Sequence, residues 1–157
     1  MSEAYQGGCA CGQLRFTACG APKRVGLCHC MTCRKVSGSA FNAFVIFPRE
    51  AVFVEGEFKI WAATASDDHG FCPVCGSQVF ARTATEMEMK LGAFDAPNVF
   101  APTYEAWTVR RESWLNTEDL IGYEHNRGEV VTRPGCRRAP VISAACATRR
   151  RDGSTRR

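Results

Sequence analysis

Seven of the ten cysteines in this 157-residue chain fall into three short clusters: Cys9-Ala10-Cys11, Cys28-His29-Cys30-Met31-Thr32-Cys33 and Cys72-Pro73-Val74-Cys75. No other feature restricts the fold as tightly. Thiolates one or two positions apart can both turn toward a single cation without straining the backbone, and tetrahedral zinc takes four soft donors at about 2.3 Å. A bridge between Cys9 and Cys11 would instead close an unusually small ring, which disfavours local disulfides. Two pairs complete one closed site. The middle cluster offers a further three thiolates, which leaves one coordination position for water, a substrate or a foreign thiol. An open position suggests chemistry rather than scaffolding.

A chain of this length builds one ordinary domain, with metal able to carry part of its stability. It has no run of about 18 apolar residues, and Met1 to Gln6 shows neither the basic nor the apolar region of a secretory signal, so we expect a cytoplasmic protein that does not engage the membrane. In a reducing compartment clustered cysteines read as metal ligands. Charge is divided along the chain. Residues 1–129 hold 12 Lys and Arg against 15 Asp and Glu, a net of −3, whereas residues 130–157 hold eight Arg and one Asp, a net of +7. The expected organisation is a zinc-binding domain over residues 1–128 followed by a basic, disordered tail over 129–157. A terminal tail without interleaved aromatics is more often solvated chain than a nucleic-acid contact.

Before the tail, short apolar runs rich in β-branched and aromatic residues alternate with Gly, Pro, Asp and Ser, so a mainly β domain is expected. Strands are predicted at Gln13 to Ala18, Arg24 to Cys28, Phe41 to Phe47, Val52 to Glu55, Lys59 to Ala62, Gln78 to Arg82, Met87 to Ala93 and Tyr104 to Arg110. Met87, Met89 and Leu91 share one face while Glu88 and Lys90 point the other way, the period of a sheet with one wet side. Helical signal is confined to short turns at Thr32 to Val36 and Asn116 to Leu120, the second capped by Asn116 or Thr117.

Cys9, Cys11, Cys72 and Cys75 form two close pairs, each followed by a glycine, Gly12 and Gly76. Glycine there permits positive φ and lets backbone amides swing toward the sulfurs. Four thiolates on zinc leave a charge of −2 in a saturated site whose contribution is folding energy. Cys28, Cys30 and Cys33 would give −1, and the adjacent Arg34 and Lys35 favour thiolate over thiol. This trio is the candidate reactive centre, unless His69 or a leftover cysteine closes it as a second structural site. His29, between two of the cysteines, is expected to point outward or to support the ligands rather than to ligate. Cys19, Cys136, Cys146 and His125 have no assigned role. Trp61, Phe71, Phe80, Phe94, Trp107 and Trp114 are read as core residues before pocket residues.

Three segments, Gly8-Cys9-Ala10-Cys11-Gly12-Gln13-Leu14-Arg15-Phe16, Cys28 through Phe41, and Phe71-Cys72-Pro73-Val74-Cys75-Gly76-Ser77-Gln78-Val79-Phe80, resemble in order and spacing the glutathione-dependent formaldehyde-activating enzyme family, zinc-binding domains of the type also seen in centromere protein V-like chains. The resemblance covers roughly residues 5 to 125. It implies a mainly β fold of folded antiparallel sheets around a structural zinc, a β-tent-like arrangement with few short helical turns. It also implies a structural ion on Cys9, Cys11, Cys72 and Cys75, and a second, catalytic zinc on Cys28, Cys30 and Cys33.

The activity so implied is carbon–sulfur lyase chemistry, the reversible condensation of formaldehyde with glutathione to S-(hydroxymethyl)glutathione. A small-molecule thiol such as glutathione and an aldehyde are the expected partners. Arg34, Lys35 and Ser37 are candidates for binding the thiol's carboxylates and peptide, with charge balance for the thiolates as the competing role of the two cations. The second ion is expected to be the more labile one. A noncatalytic zinc-binding interaction module of the same fold is the alternative, since fold does not fix function.

Overall fold

Short strands, most of them apolar on one side, assemble into two sheets that enclose the main core. The computed structural model describes residues 3–64 and 67–128; the arginine-rich tail, with Cys136 and Cys146, lies outside the described residues. Strands β1 (Ala4–Gly8), β2 (Arg15–Cys19) and β5 (Val52–Glu55) form a three-stranded antiparallel sheet in the order β1-β2-β5. The larger sheet contains β3 (Arg24–Cys28), β4 (Asn42–Pro48), β6 (Lys59–Thr64), β7 (Asp67–Phe71), β8 (Gln78–Arg82), β9 (Glu86–Lys90), β10 (Tyr104–Ala106) and β11 (Ile121–Gly122). Its order is β11-β10-β3-β4-β9-β8-β7-β6, antiparallel except where β10 lies parallel to β3 and β11. The fold is mainly β, as expected, and among the described residues no helix is long and apolar enough to cross a membrane.

Registry explains the core. Val45 pairs with Met89 and Phe47 with Met87, so all four project from one face of the larger sheet. Leu14 and Phe16 from the smaller sheet join them, together with Val79 and Phe80. Phe16 meets Phe94 edge to face at 5.1 Å. Each such side chain contributes about 1.5–3 kcal/mol by leaving water. β1 meets the segment after β9 at an isolated bridge between Gly7 and Phe94, where a Cβ on Gly7 would lie 2.2 Å from the Ala93 carbonyl oxygen. The opposite face of the larger sheet carries a smaller cluster of Phe44, Ile46 and Tyr104, with Cys28 and Tyr123 packed against it.

Departures from the predicted elements have local causes. The strand predicted through Ala93 stops at Lys90, and Leu91–Ala93 forms a 3-10 turn. The one predicted through Arg110 stops at Ala106 because Trp107 adopts φ 61°, and the chain enters a 3-10 turn at Thr108–Arg110. Asn116 to Leu120 is a short turn, as expected, capped by Asn116, whose Oδ1 accepts from the Glu118 amide at 3.2 Å. β1, β7 and β11 were not expected as strands. The face of β9 assigned to water is partly covered, since Lys90 is only 8% exposed.

Strand directions place the cysteines. β3 and β7 point the same way, with three antiparallel neighbours between them, so Cys28 at the end of β3 and the loop after β7 emerge at one end of the sheet. Asn42 and Gln78, which open β4 and β8, and Lys90, which closes β9, lie at that same end.

Candidate functional site

Cys9 and Cys11 occupy the turn between β1 and β2, and Cys72 and Cys75 the hairpin loop between β7 and β8. All four sulfurs lie within 4.8 Å of one another. Cys9 Sγ is 3.5 Å from Cys11 Sγ, which is 3.7 Å from Cys72 Sγ. A regular tetrahedron with zinc–sulfur bonds of 2.3 Å has sulfur edges of about 3.8 Å. This donor set fits zinc.

Gly12 and Gly76 take φ 79° and 75°, the left-handed region that glycine was expected to supply. Their amides do not reach the sulfurs: Gly12 donates to the Cys9 carbonyl at 3.1 Å and Gly76 to the Cys72 carbonyl at 2.9 Å, closing the two turns. The donors to sulfur come from farther along. The Leu14 amide donates to Cys9 Sγ at 3.2 Å. Burial resists ionisation of Cys9, but the Leu14 amide and the Cys11 and Cys72 thiols outweigh it and lower its pKa. The Ser77 hydroxyl and amide hold Cys75 down at about 5. Ser77 also accepts from the Ala10 amide at 3.2 Å, tying the two turns together.

The trio is built differently. Cys28 ends β3, Cys30 is the N-cap of the helix α1 (Met31–Ser37), and Cys33 lies in its first turn. Cys30 Sγ accepts from the Cys33 amide at 3.3 Å, which starts the helix, and Gly38 at φ 62° ends it by donating to the Arg34 carbonyl. No residue of α1 is buried, so its capped ends and the segments flanking it hold it in place. The three sulfurs lie within 4.8 Å of one another, all half-buried. Hydrogen bonds from the Cys28 and Cys33 thiols pull Cys30 down to about 2, while the Cys30 thiolate pushes Cys28 up to about 12. Cys28 and Cys30 together push Cys33 far up. Contact among the three sulfurs thus opposes ionisation of all of them at once. Full ligation releases the remaining protons, which requires a cation in their place. The geometry and soft donors fit zinc here too.

Among the described residues no His, Asp, Glu or further Cys joins the trio. His69 lies in β7, its Nδ1 2.6 Å from Gln78 Nε2 and its Nε2 3.3 Å from Asp67 Oδ2. His29 does not point outward. It is fully buried, with Nε2 3.0 Å from Glu105 Oε2 on β10. Glu105 also accepts from Arg111 Nη1 at 2.7 Å and Thr117 Oγ1 at 2.9 Å. Nothing near these residues in the sequence signalled this network, because Glu105 is 76 positions from His29.

Arg34 donates to the Arg110 carbonyl at 2.7 Å and pairs with Glu112, which pins α1 to the segment after β10. Lys35 is exposed, as is Ser37, whose hydroxyl donates to the Cys33 carbonyl at 2.7 Å. Phe80 and Phe94 are core residues, whereas Trp61 and Trp114 are exposed. Cys19 ends β2, half-buried, and His125 is exposed against Trp107. A cleft of about 690 Å³ opens between α1 and the four-cysteine turns, lined by Ser37, Ser39, Asn42, Ser77, Gln78 and Lys90 among others.

All three cysteine clusters fall within residues 4–110, the stretch that matches the model of a family described as glutathione-dependent formaldehyde-activating enzyme. The chain is also similar to a Schizosaccharomyces pombe protein described as an uncharacterized lyase, 28% identical over 76 residues that cover 48% of this chain and 56% of that protein. The chain thus spans little more than half the length of that relative. With the match extending over most of the chain and taking in all three cysteine clusters, this protein belongs to the glutathione-dependent formaldehyde-activating enzyme family.

Proposed function

We propose that the protein is a zinc-dependent carbon–sulfur lyase that makes and breaks a small thiol–aldehyde adduct, with glutathione and formaldehyde as the substrates its family description indicates. The name of the yeast relative supports the lyase class. The observation that carries the reading is the trio itself: three sulfurs within 4.8 Å, half-buried, with no fourth ligand among the described residues. A saturated structural site has no such gap. Cys9, Cys11, Cys72 and Cys75 hold the structural ion in this reading, and Cys28, Cys30 and Cys33 the catalytic one.

Zinc bound by the trio would supply a position where a substrate thiol is held as thiolate or an aldehyde oxygen is polarised. The chain's own part is orientation. β3 and the capped first turn of α1 fix the three sulfurs, the buried His29–Glu105 pair anchors the turn between Cys28 and Cys30, and the cleft beside α1 receives the rest of the substrate. In the forward step the substrate sulfur attacks the carbonyl carbon and a carbon–sulfur bond forms. The carbonyl π pair moves to oxygen, which takes up the proton released by the thiol. Reversal breaks the same bond and returns the aldehyde. The proposed setting is the cytoplasm, where the cysteines stay reduced.

Adduct formation from glutathione and formaldehyde, followed by NMR in the presence of zinc-loaded protein, tests the reading. Acceleration that disappears in Cys30→Ser, while the ion on the four-cysteine site is retained, supports it. Unchanged turnover in that variant removes the trio as the centre. A noncatalytic scaffold would bind zinc twice and accelerate nothing.

A further inference from the structure

One buried cation has no part in either sulfur site. Lys90, the last residue of β9, is 8% exposed and lines the cleft beside α1. Its ammonium lies 2.7 Å from Glu88 Oε1, which also accepts from Asn42 Nδ2 at 2.9 Å. An ammonium carries three donors, and among the described residues Glu88 is the acceptor it reaches, so donors remain for a ligand. Burying a lysine is costly unless its charge is matched. The other charged side chain in the cleft wall, Asp95, is already held by a two-point pair with Arg15.

Sheet register relates Lys90 to the trio. Cys28 pairs with Asn42, Phe44 with Lys90 and Ile46 with Glu88, so Cys28, Asn42, Glu88 and Lys90 project from one face. Two strand spacings across and two residues along separate the α carbons of Cys28 and Lys90 by roughly 12 Å. Both side chains stand on the same face across that span. A thiol bound at the trio therefore has a cation waiting several bonds from its sulfur.

We propose that Lys90 is a specificity-determining residue that receives a carboxylate of the thiol substrate, with Asn42 fixing Glu88 so that the ammonium faces the cleft. The substrate class is then a carboxylate-bearing, peptide-like thiol, and a short thiol without a carboxylate is discriminated against. This rests on the lyase reading for the location of the substrate sulfur, but it makes its own prediction about binding.

The test compares glutathione with cysteamine, which lacks a carboxylate, by calorimetric binding to the zinc-loaded full chain. Lys90→Met leaves the half-buried Glu88 carboxylate without its cation, so Lys90→Met/Glu88→Gln is measured beside it, with zinc content and circular dichroism checking the fold. The expected result is that the preference for glutathione over cysteamine falls about tenfold or more in the double variant, as loss of a charge-assisted hydrogen bond requires. Lys90→Arg is expected to retain most of the preference. An unchanged preference, equal weakening of both thiols, or failure of the parent protein to bind glutathione would overturn the assignment. Glutathione binding that depends on Lys90 without any acceleration of adduct formation would leave the carboxylate site standing and sink the lyase reading instead.

Discussion

His29 Nε2 lies 3.0 Å from Glu105 Oε2, and neither side chain is exposed to solvent. The pair links the turn that carries Cys28 and Cys30 to β10, which lies parallel to β3. Burial lowers the pKa of His29, and the Glu105 carboxylate only partly opposes it, so the ring is read as neutral with Nε2–H donating. Glu105→Ala leaves the ring, Arg111 and Thr117 without their shared acceptor. We expect a loss of about 3 kcal/mol in urea-unfolding free energy at fixed zinc, typical of breaking a buried charged network. A loss below about 1 kcal/mol would mean that water replaces the carboxylate at little cost.

The two sulfur sites should differ in how they release metal. Four thiolates saturate one ion, and the Leu14 amide and Ser77 help keep Cys9 and Cys75 ionised there. The trio offers three sulfurs, with no fourth ligand among the described residues. Gentle chelation with an indicator dye should therefore draw off one zinc equivalent well before the second, with the β-sheet circular dichroism signal preserved. Simultaneous loss of both equivalents would contradict the assignment.

Gly7 on β1 bridges to Phe94 in the segment after β9, and an added methyl would meet the Ala93 carbonyl oxygen at 2.2 Å and the Phe16 ring at 2.4 Å. Backbone cannot give way as a flexible side chain can. Gly7→Ala should destabilise the protein by about 2 kcal/mol or more, within the usual range for overpacking or above it. Thermal unfolding beside the control Gly92→Ala, where nothing lies within 4 Å of the new Cβ, checks this.

Arg24 on β3 grips Glu86 on β9 across β4, with contacts of 2.8 and 2.6 Å. That bidentate bond holds the Glu86 carboxyl below the usual glutamate range. A carboxyl with a depressed folded pKa stabilises the fold above its unfolded pKa, about 4.3, and loses that contribution as pH falls through the folded value. Wild type should accordingly be more stable than Glu86→Gln near neutral pH, and the difference should shrink once the pH drops below about 4. A pH-independent difference would show that the pair acts through packing alone.

Much of the site could be read from residues close together in the chain. The pairs Cys9/Cys11 and Cys72/Cys75 and the trio are set by spacings of one or two intervening residues, and a thiolate has few uses in such clusters other than metal. β3, β5 and β8 matched their predicted bounds because each is a short apolar run bounded by polar or turn residues, which agrees with its place in a sheet. β7 did not announce itself. Asp67-Asp68-His69-Gly70-Phe71 is poor strand material, and it pairs on both sides because β6 and β8 present their edges to it.

What the sequence alone determined was the mainly β class and the two groups of cysteines, four and three, that can each share a cation, since alternation and cysteine spacing are local properties. Tertiary structure alone decided that both sulfur sites emerge at one end of one sheet. It also buried His29 on Glu105, pinned Arg34 to Glu112 rather than leaving it free for a substrate, and turned Lys90 from a residue of the wet face into the buried wall of a cleft. Those outcomes depend on strand order and on partners dozens of residues away, and a charged side chain's environment is fixed only when the chain closes around it.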